Sequence, residues 1–364
     1  MFERILATSK GGLKLPIEES LLCKKVYGAL TGGALGDAMG APIEGWRHEV
    51  IQEKYGWVSG IITESGWNGQ FTDDTYLKNA LCREYIQRKT HLTAADVVEM
   101  WAGLDPERLW LPEKYTHLCT RYTRVDPFFA GKENMVICGG AMHIAPVGLV
   151  NACNPQAAYR EATSVAAINT HSYGLEGAAV LAAGIAEAMR PDADRDSVFI
   201  AALAVAHGGT KQALTEVYDT VRRYKSIREA IVPVREVTTR WDGRLAGTSP
   251  GIENPDKCLE EVAAAFAMCY LAQGSAMDAI EGGVNFGQDN DSIAGMAGAL
   301  AGALYAGAGL RPELIHQVEQ ANEYDAVQWA REMSEAIIAI QTSDRERLED
   351  ATRLHAGVAK SSVL

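Results

Sequence analysis

Along most of the chain apolar side chains return every three or four positions, and period-two alternation of β-branched residues is almost missing. That pattern predicts helices over Ile17–Ala34, Asp73–Arg88, Ala94–Ala102, Pro155–Ile168, Gly174–Ala188, Asp194–Ala206, Lys211–Tyr224, Asp256–Gln273, Ala276–Gly282, Ser292–Ala306 and Pro312–Ile340. Few stretches remain for a sheet, so the expected class is all-α. Several helices are rich in Ala and Gly, as in Gly177–Ala186, and small side chains let backbones approach closely in a compact multi-layer bundle. Glycines around Gly33 and Gly36 are expected to end the first helix and to feed an extended turn through Asp37 to Glu44. Two regions break the pattern: Leu111–Met135, with Pro127, and Ile231–Pro255, with Pro233, Trp241 and Pro250. Both are expected to be surface loops or lids. Thr342–Leu364 reads as a charged helix with a frayed tail.

The chain has 364 residues of even composition with no Ser/Pro/Gly-rich linker, which predicts one domain over 1–364 with its core at about 17–340. With 47% hydrophobic and 22% charged residues it can build a sizeable core and stay in solution. A formal net charge of −13 with no basic stripe argues against a nucleic-acid partner. The seven cysteines are scattered and include no CxxC pair, as expected of free thiols in a reducing cytoplasm. The amino terminus, Met1-Phe2-Glu3-Arg4 onward, lacks the apolar run of a signal peptide. Ile293–Leu310 carries no charge, but twelve of its 18 residues are Ala or Gly and the run begins directly after Asp289 and Asp291 with no basic flank, so a packed core helix is expected there and no membrane span. Nothing in the chain fixes an oligomeric state.

Chemistry concentrates at two acidic helix starts. Thr72 stands where an N-cap would stand, ahead of Asp73 and Asp74, with Thr75 following. Asp289 and Asp291 likewise lead into Ser292 and the most apolar helix of the chain. First-turn carboxylates complement a helix dipole by about 0.3–1 kcal/mol without any catalytic role. Several carboxylates at the mouth of a buried helix exceed what capping needs, because unpaired charge near a core is costly. If the two starts meet, like charges about 4 Å apart repel by roughly 4 kcal/mol at an effective dielectric of 20, and cations are required. An all-oxygen donor set selects Mg²⁺ or Mn²⁺ over Zn²⁺ and suggests a binuclear site. Asp37 reads as a turn residue; Glu44, after Pro42, is the better reaching ligand or general base.

In order along residues 25 to 310, Gly32–Glu44, Thr72-Asp73-Asp74-Thr75, His171 after Thr170, and Asn285–Ser292 with the Ala/Gly helix to Tyr305 resemble the ADP-ribosylglycohydrolase family, which includes the dinitrogenase-reductase-activating glycohydrolases. The resemblance implies an orthogonal all-α bundle and a two-Mg²⁺ centre that hydrolyses an N- or O-glycosidic bond at a ribose anomeric carbon with an activated water. It assigns Thr72, Asp73, Asp74, Asp289, Asp291 and Ser292 as metal ligands. Asp74, Glu44 and Asp289 would be catalytic, and Gly139, Gly140, His143 and His171 would bind substrate. The substrate would be an ADP-ribosylated protein or an ADP-ribose-like small molecule. Two departures stand out. Ile137-Cys138-Gly139-Gly140-Ala141-Met142-His143 replaces the usual Gly-Asn-Gly-Ala-Ala-Met-Arg, and Gln288 replaces a glycine before Asp289.

Three rivals follow. The altered loop favours a nucleosidase-like hydrolase of a simple ribosyl compound. A non-catalytic relative would be free to lose its ligands, whereas every motif position here still carries oxygen. A terpene cyclase would want Asp-Asp-x-x-Asp, and Leu77 fills the third acidic position. The other histidines, and the aromatics Trp67, Trp110, Phe128, Phe129 and Trp241, are assigned no role beyond packing or base stacking.

Overall fold

The computed structural model describes residues 17–360 except 65, 124 and 241–257. Among the described residues there are sixteen α-helices and no strand. The all-α expectation therefore holds. They are α1 (Leu21–Gly40), α2 (His48–Tyr55), α3 (Asp73–Arg88), α4 (Ala94–Ala102), α5 (Leu111–Leu118), α6 (Ala145–Val150), α7 (Pro155–Ala166) and α8 (Ser172–Ala188). After them come α9 (Arg195–Val205), α10 (Gly208–Val221), α11 (Ile227–Thr238), α12 (Cys258–Leu271), α13 (Ala276–Phe286), α14 (Asn290–Tyr305), α15 (Pro312–Asn322) and α16 (Ala326–Lys360).

Helix α1 corrects the sequence reading, because it runs through its glycines to Gly40 and carries Asp37 on its last turn. The glycines serve a crossing. A Cβ on Gly28, Gly32, Gly36 or Gly40 would lie under 3.0 Å from the backbone of Gly302, Gly298, Ala294 or Asp291, respectively. These pairs run in opposite directions along the chain, so α1 and α14 lie antiparallel in backbone contact, and the last turn of α1 meets the first turn of α14. Side chains on that seam would push the helices toward the ordinary 8–10 Å separation. Buried Lys25 fastens the other end: its Nζ donates to the carbonyls of Ala188, Ala303 and Leu304 at 2.7, 3.0 and 3.2 Å, satisfying the open C-termini of α8 and α14.

Other boundaries moved for local reasons. The expected helix over Pro312–Ile340 is two helices, parted where Glu323 takes a left-handed φ of 51°. The Leu111–Met135 region is a helix, a π turn at Cys119–Thr123 and a 3₁₀ turn at Ala130–Glu133 rather than an open loop; Pro112 in its first turn is a helix-start signal. Of Ile231–Pro255, the first part belongs to α11, which tolerates Pro233, while 241–255, with Trp241 and Pro250, lies outside the described residues. The charged C-terminal helix is the continuation of α16, and the last four residues lie outside the described set.

Helix α16 is tied down by charge as well as by packing. His91 sits between two carboxylates, Nδ1 2.6 Å from Glu161 Oε2 and Nε2 2.7 Å from Asp344 Oδ2. Glu161 also accepts from Tyr85 Oη, Leu92 N and Asn151 Nδ2. The hydrogen bond to Glu161, and then the two negative charges, lift the imidazole to about 9 from its ordinary 6.5. Its folded value lies above the unfolded one, so the stabilisation is complete below pH 6.5 and is lost as pH rises through about 9. We expect His91→Gln to lose on the order of 2 kcal/mol near pH 6 and almost nothing above pH 10. Denaturant melts at the two pH values check this, and equal losses at both would refute it.

Candidate active site

The two acidic helix starts meet. Helix α3 opens with Thr72, whose Oγ1 accepts from Asp74 N at 3.3 Å. Asp37 reaches across from α1 and completes the cap, accepting from Thr72 N at 2.9 Å and Thr75 N at 3.0 Å. Buried Lys78, one turn further along α3, faces Asp37 and donates to the Leu30 carbonyl at 3.1 Å. Desolvation brings that ammonium down to about 8, against the pull of the Asp37 charge.

At α14 the geometry answers the capping explanation. Asp289 stands at the N-cap but its side chain makes no capping hydrogen bond. It accepts instead from Cys138 Sγ at 3.1 Å. Asp291, in the first turn of α14, lies at the end of the crossing opposite Gly40 and is buried. Carboxylate oxygens of Glu44, Asp289 and Asp291 all lie within 4.8 Å of one another.

Glu44 is delivered by a loop sewn to this helix start. Gly45 N donates to the Gln288 carbonyl and Gln288 N to the Trp46 carbonyl, both at 2.7 Å. Gln288 takes a left-handed φ of 65° to do so, a conformation that costs a non-glycine residue about 1–2 kcal/mol. Trp110, exposed at the rim, donates its backbone N–H to Asp73 Oδ2 at 3.0 Å.

Crowded carboxylates share one electrostatic consequence. Burial first, and then neighbouring negative charge, raises Asp73 to about 6 and Glu44 to about 7. Buried Asp74 is pushed well above the ordinary range by desolvation and then by Asp37, Asp73 and Asp289, and buried Asp291 by desolvation and then by Asp289, Asp74, Glu44 and Asp37. Among the described residues, Asp74 Oδ2 and Asp291 Oδ1 are buried without a hydrogen-bond partner. Unpartnered buried carboxylate oxygens facing like charge are what a divalent cation relieves, and the oxygen-only donors suit a hard ion. The residues present therefore fit a metal.

The remaining residues expected at the site divide. Gly139 and Gly140 form a buried 3₁₀ turn, where a Cβ on Gly139 would lie 2.9 Å from Glu113 Oε1 and one on Gly140 2.6 Å from Thr170 Cγ2. His171 is the N-cap of α8, its Nδ1 3.1 Å from the Gly131 carbonyl. His143 is not brought to the carboxylates: 1% exposed, it lies edge-on to Trp101 with ring centroids 6.1 Å apart, and burial depresses its pKa to about 4. Two acidic residues at the site were not singled out from the sequence. Glu113, on α5, is buried and raised to about 8 by desolvation and by Asp73 and Asp289. Glu261, on α12, is buried and accepts from Cys138 N at 2.8 Å. Both look like ordinary first-turn helix acids in the sequence.

Helices α1 and α14 thus bring a cluster of carboxylates to their crossing, in an all-α scaffold fit to hold a divalent cation. The ADP-ribosylglycohydrolase family model matches residues 18–347, and the chain belongs to that family. Its members are glycosyl hydrolases, and so the protein is an ADP-ribosylglycohydrolase-type hydrolase. It is 25% identical to the uncharacterized protein YegU of Escherichia coli K12 over 328 residues, covering 84% of this chain and 95% of that protein. It is 31% identical to the ADP-ribosyl-[dinitrogen reductase] glycohydrolase of Rhodospirillum rubrum over 175 residues, covering 44% of this chain and 55% of that one. Among solved structures, an ADP-ribosylglycohydrolase-related protein complex superposes with a TM-score of 0.62 at 21% identity, covering 87% of this chain and 99% of that chain. Among the described residues no helix is long and apolar enough to cross a membrane.

Proposed function

We propose that the protein is a Mg²⁺-dependent hydrolase that releases ADP-ribose, or a related ribosyl group, from an ADP-ribosylated protein or small molecule. The observation that carries this reading is the convergence of Asp74 and Asp291, each with an unpartnered buried oxygen, beside Asp289 and Glu44. Thr72, Asp73, Asp74, Asp289, Asp291 and Ser292 would hold two ions, with Mn²⁺ able to replace Mg²⁺. Bound there, the ions would supply Lewis-acid orientation of ribose hydroxyls and an acidified water. Asp74 and Glu44 are the candidate bases for that water's proton. Glu44, at the rim, has a carboxyl raised to about 7, a value at which a carboxylate takes up a proton efficiently near neutral pH. The transition state would be oxocarbenium-like. The cysteines are free, which suits a reducing cytoplasm.

A second reading, hydrolysis of a simpler ribosyl compound, is favoured by the Cys138–His143 turn. Its N–H groups at Cys138, Ala141 and Met142 are spent on Glu261 and on the Cys138 carbonyl, and its one basic side chain is buried. A diphosphate therefore finds few donors there. Product analysis with ADP-ribosyl-arginine and with free nucleosides, each with Mg²⁺ and with EDTA, tests both. We expect turnover of the ADP-ribosyl substrate that EDTA abolishes. Turnover of nucleosides alone would select the second reading, and EDTA-insensitive turnover would overturn the metal mechanism.

A further inference from the structure

The carboxylate cluster has an exposed outer flank and a buried inner flank that differ in chemistry. Asp289 belongs to two groups of ligand atoms, each group lying within 4.8 Å: Glu44, Asp289 and Asp291, and then Cys138, Glu261 and Asp289. The first is all oxygen and opens to solvent at Glu44. The second is enclosed, with Cys138 1% and Glu261 2% exposed. Three segments build it: the turn Cys138–Gly140, helix α12 and the N-cap of α14. Cys138 spans the group, donating through Sγ to Asp289 Oδ2 at 3.1 Å and through its backbone N–H to Glu261 Oε2 at 2.8 Å. Buried Ser292 follows Asp289 in the first turn of α14. Asp74, 6% exposed, keeps Oδ2 buried without a hydrogen-bond partner.

We propose that this inner flank is a cation site for thiophilic divalent ions of the Zn²⁺ or Cd²⁺ class, with Cys138, Glu261 and Asp289 as its ligands. A thiolate with two carboxylates is a donor set that soft and borderline ions favour and Mg²⁺ does not. On binding, the S–H proton is released to solvent, the Sγ–H···Oδ2 bond is lost and an Sγ–cation bond forms. Sharing Asp289 sets the inner site against the oxygen site on the outer flank, so a thiophilic ion acts as an inhibitor that excess Mg²⁺ relieves. The inhibition rests on the proposed Mg²⁺ mechanism; the binding does not.

Titrating the purified full chain with Cd²⁺ without Mg²⁺, and following the ultraviolet thiolate-to-cadmium charge-transfer band, tests the site. The wild type is expected to give a band saturating at one equivalent, Cys138→Ser to lose it, and Cys119→Ser with Cys153→Ser, at the two partly exposed cysteines, to keep it. Glu261→Gln is expected to retain the band at weaker affinity. A band that survives in Cys138→Ser, or no band in the wild type, would overturn the proposal. Because the band does not depend on turnover, failure of the hydrolase reading leaves this result readable by itself.

Discussion

Asp289→Ala is expected to abolish turnover while leaving the bundle folded. Asp289 is the one carboxylate common to both ligand groups of the cluster, so its removal weakens every cation position at once. A loss of about 100-fold or more, ~2.7 kcal/mol in transition-state stabilisation, is the scale for one preorganised electrostatic contact. Stability should not follow activity down, because the Asp289 side chain makes no capping bond to α14. Its departure also relieves repulsion on Asp74, Asp291 and Glu44, each raised in part by the Asp289 charge. Thermal melts in EDTA should therefore give the variant a melting temperature equal to or above the wild type, and the upward shift on adding Mg²⁺ should vanish. Wild-type turnover in the variant would remove Asp289 from the mechanism, and an unfolded variant would show that the cap reading had underestimated its structural part.

Gly36→Ala is expected to destabilise the fold by about 3 kcal/mol or more, at the upper end of overpacking costs. Alanine is the better helix former by about 1 kcal/mol, so local propensity alone gives the opposite sign. The deciding term is the crossing: the new Cβ would lie under 3.0 Å from the Ala294 carbonyl and the Gly295 nitrogen, backbone atoms that no rotamer change can move. The two helices must part instead. Gly60→Ala is the control, since its Cβ would meet nothing within 4 Å, and a change within about 0.5 kcal/mol is expected there. Denaturant melts of the two variants side by side decide the matter; equal behaviour would show that the seam can open cheaply. Parting the helices also draws the Thr72–Asp74 helix start, which Asp37 caps, away from Asp291, so the Gly36 variant should need more Mg²⁺ for half-maximal activity than its lost stability accounts for.

The same residues show what the sequence could and could not disclose. The 3.6-residue recurrence of apolar positions was enough for the all-α class and for most helices, because it is a local signal. Gly33 and Gly36 misled for the same reason: within one segment a glycine reads as a helix stop, and only α14, some 250 residues away, shows that it admits another backbone. Asp37 consequently reads as a turn residue, whereas it caps the neighbouring helix start. The acidic starts at Thr72 and Asp289 were legible because two such starts are harder to attribute to capping than one. Glu113 and Glu261 were not, since an acid in a first turn has an adequate local explanation and its approach to Asp289 is a tertiary fact. Pro112 is a local signal for the start of α5 in the region otherwise expected to be a lid.

The glycine seam between α1 and α14 has a consequence for how such a protein can diversify. Asp37 and Asp291 sit on two rods joined backbone to backbone, so their separation is inherited from the seam and does not depend on the loops around them. The Cys138–His143 turn, the Trp110 rim and the Glu44 loop hang on that frame from outside. Mutation can therefore change what is recognised at those loops while the seam holds the charged centre constant, and drift in specificity need not begin with loss of that centre.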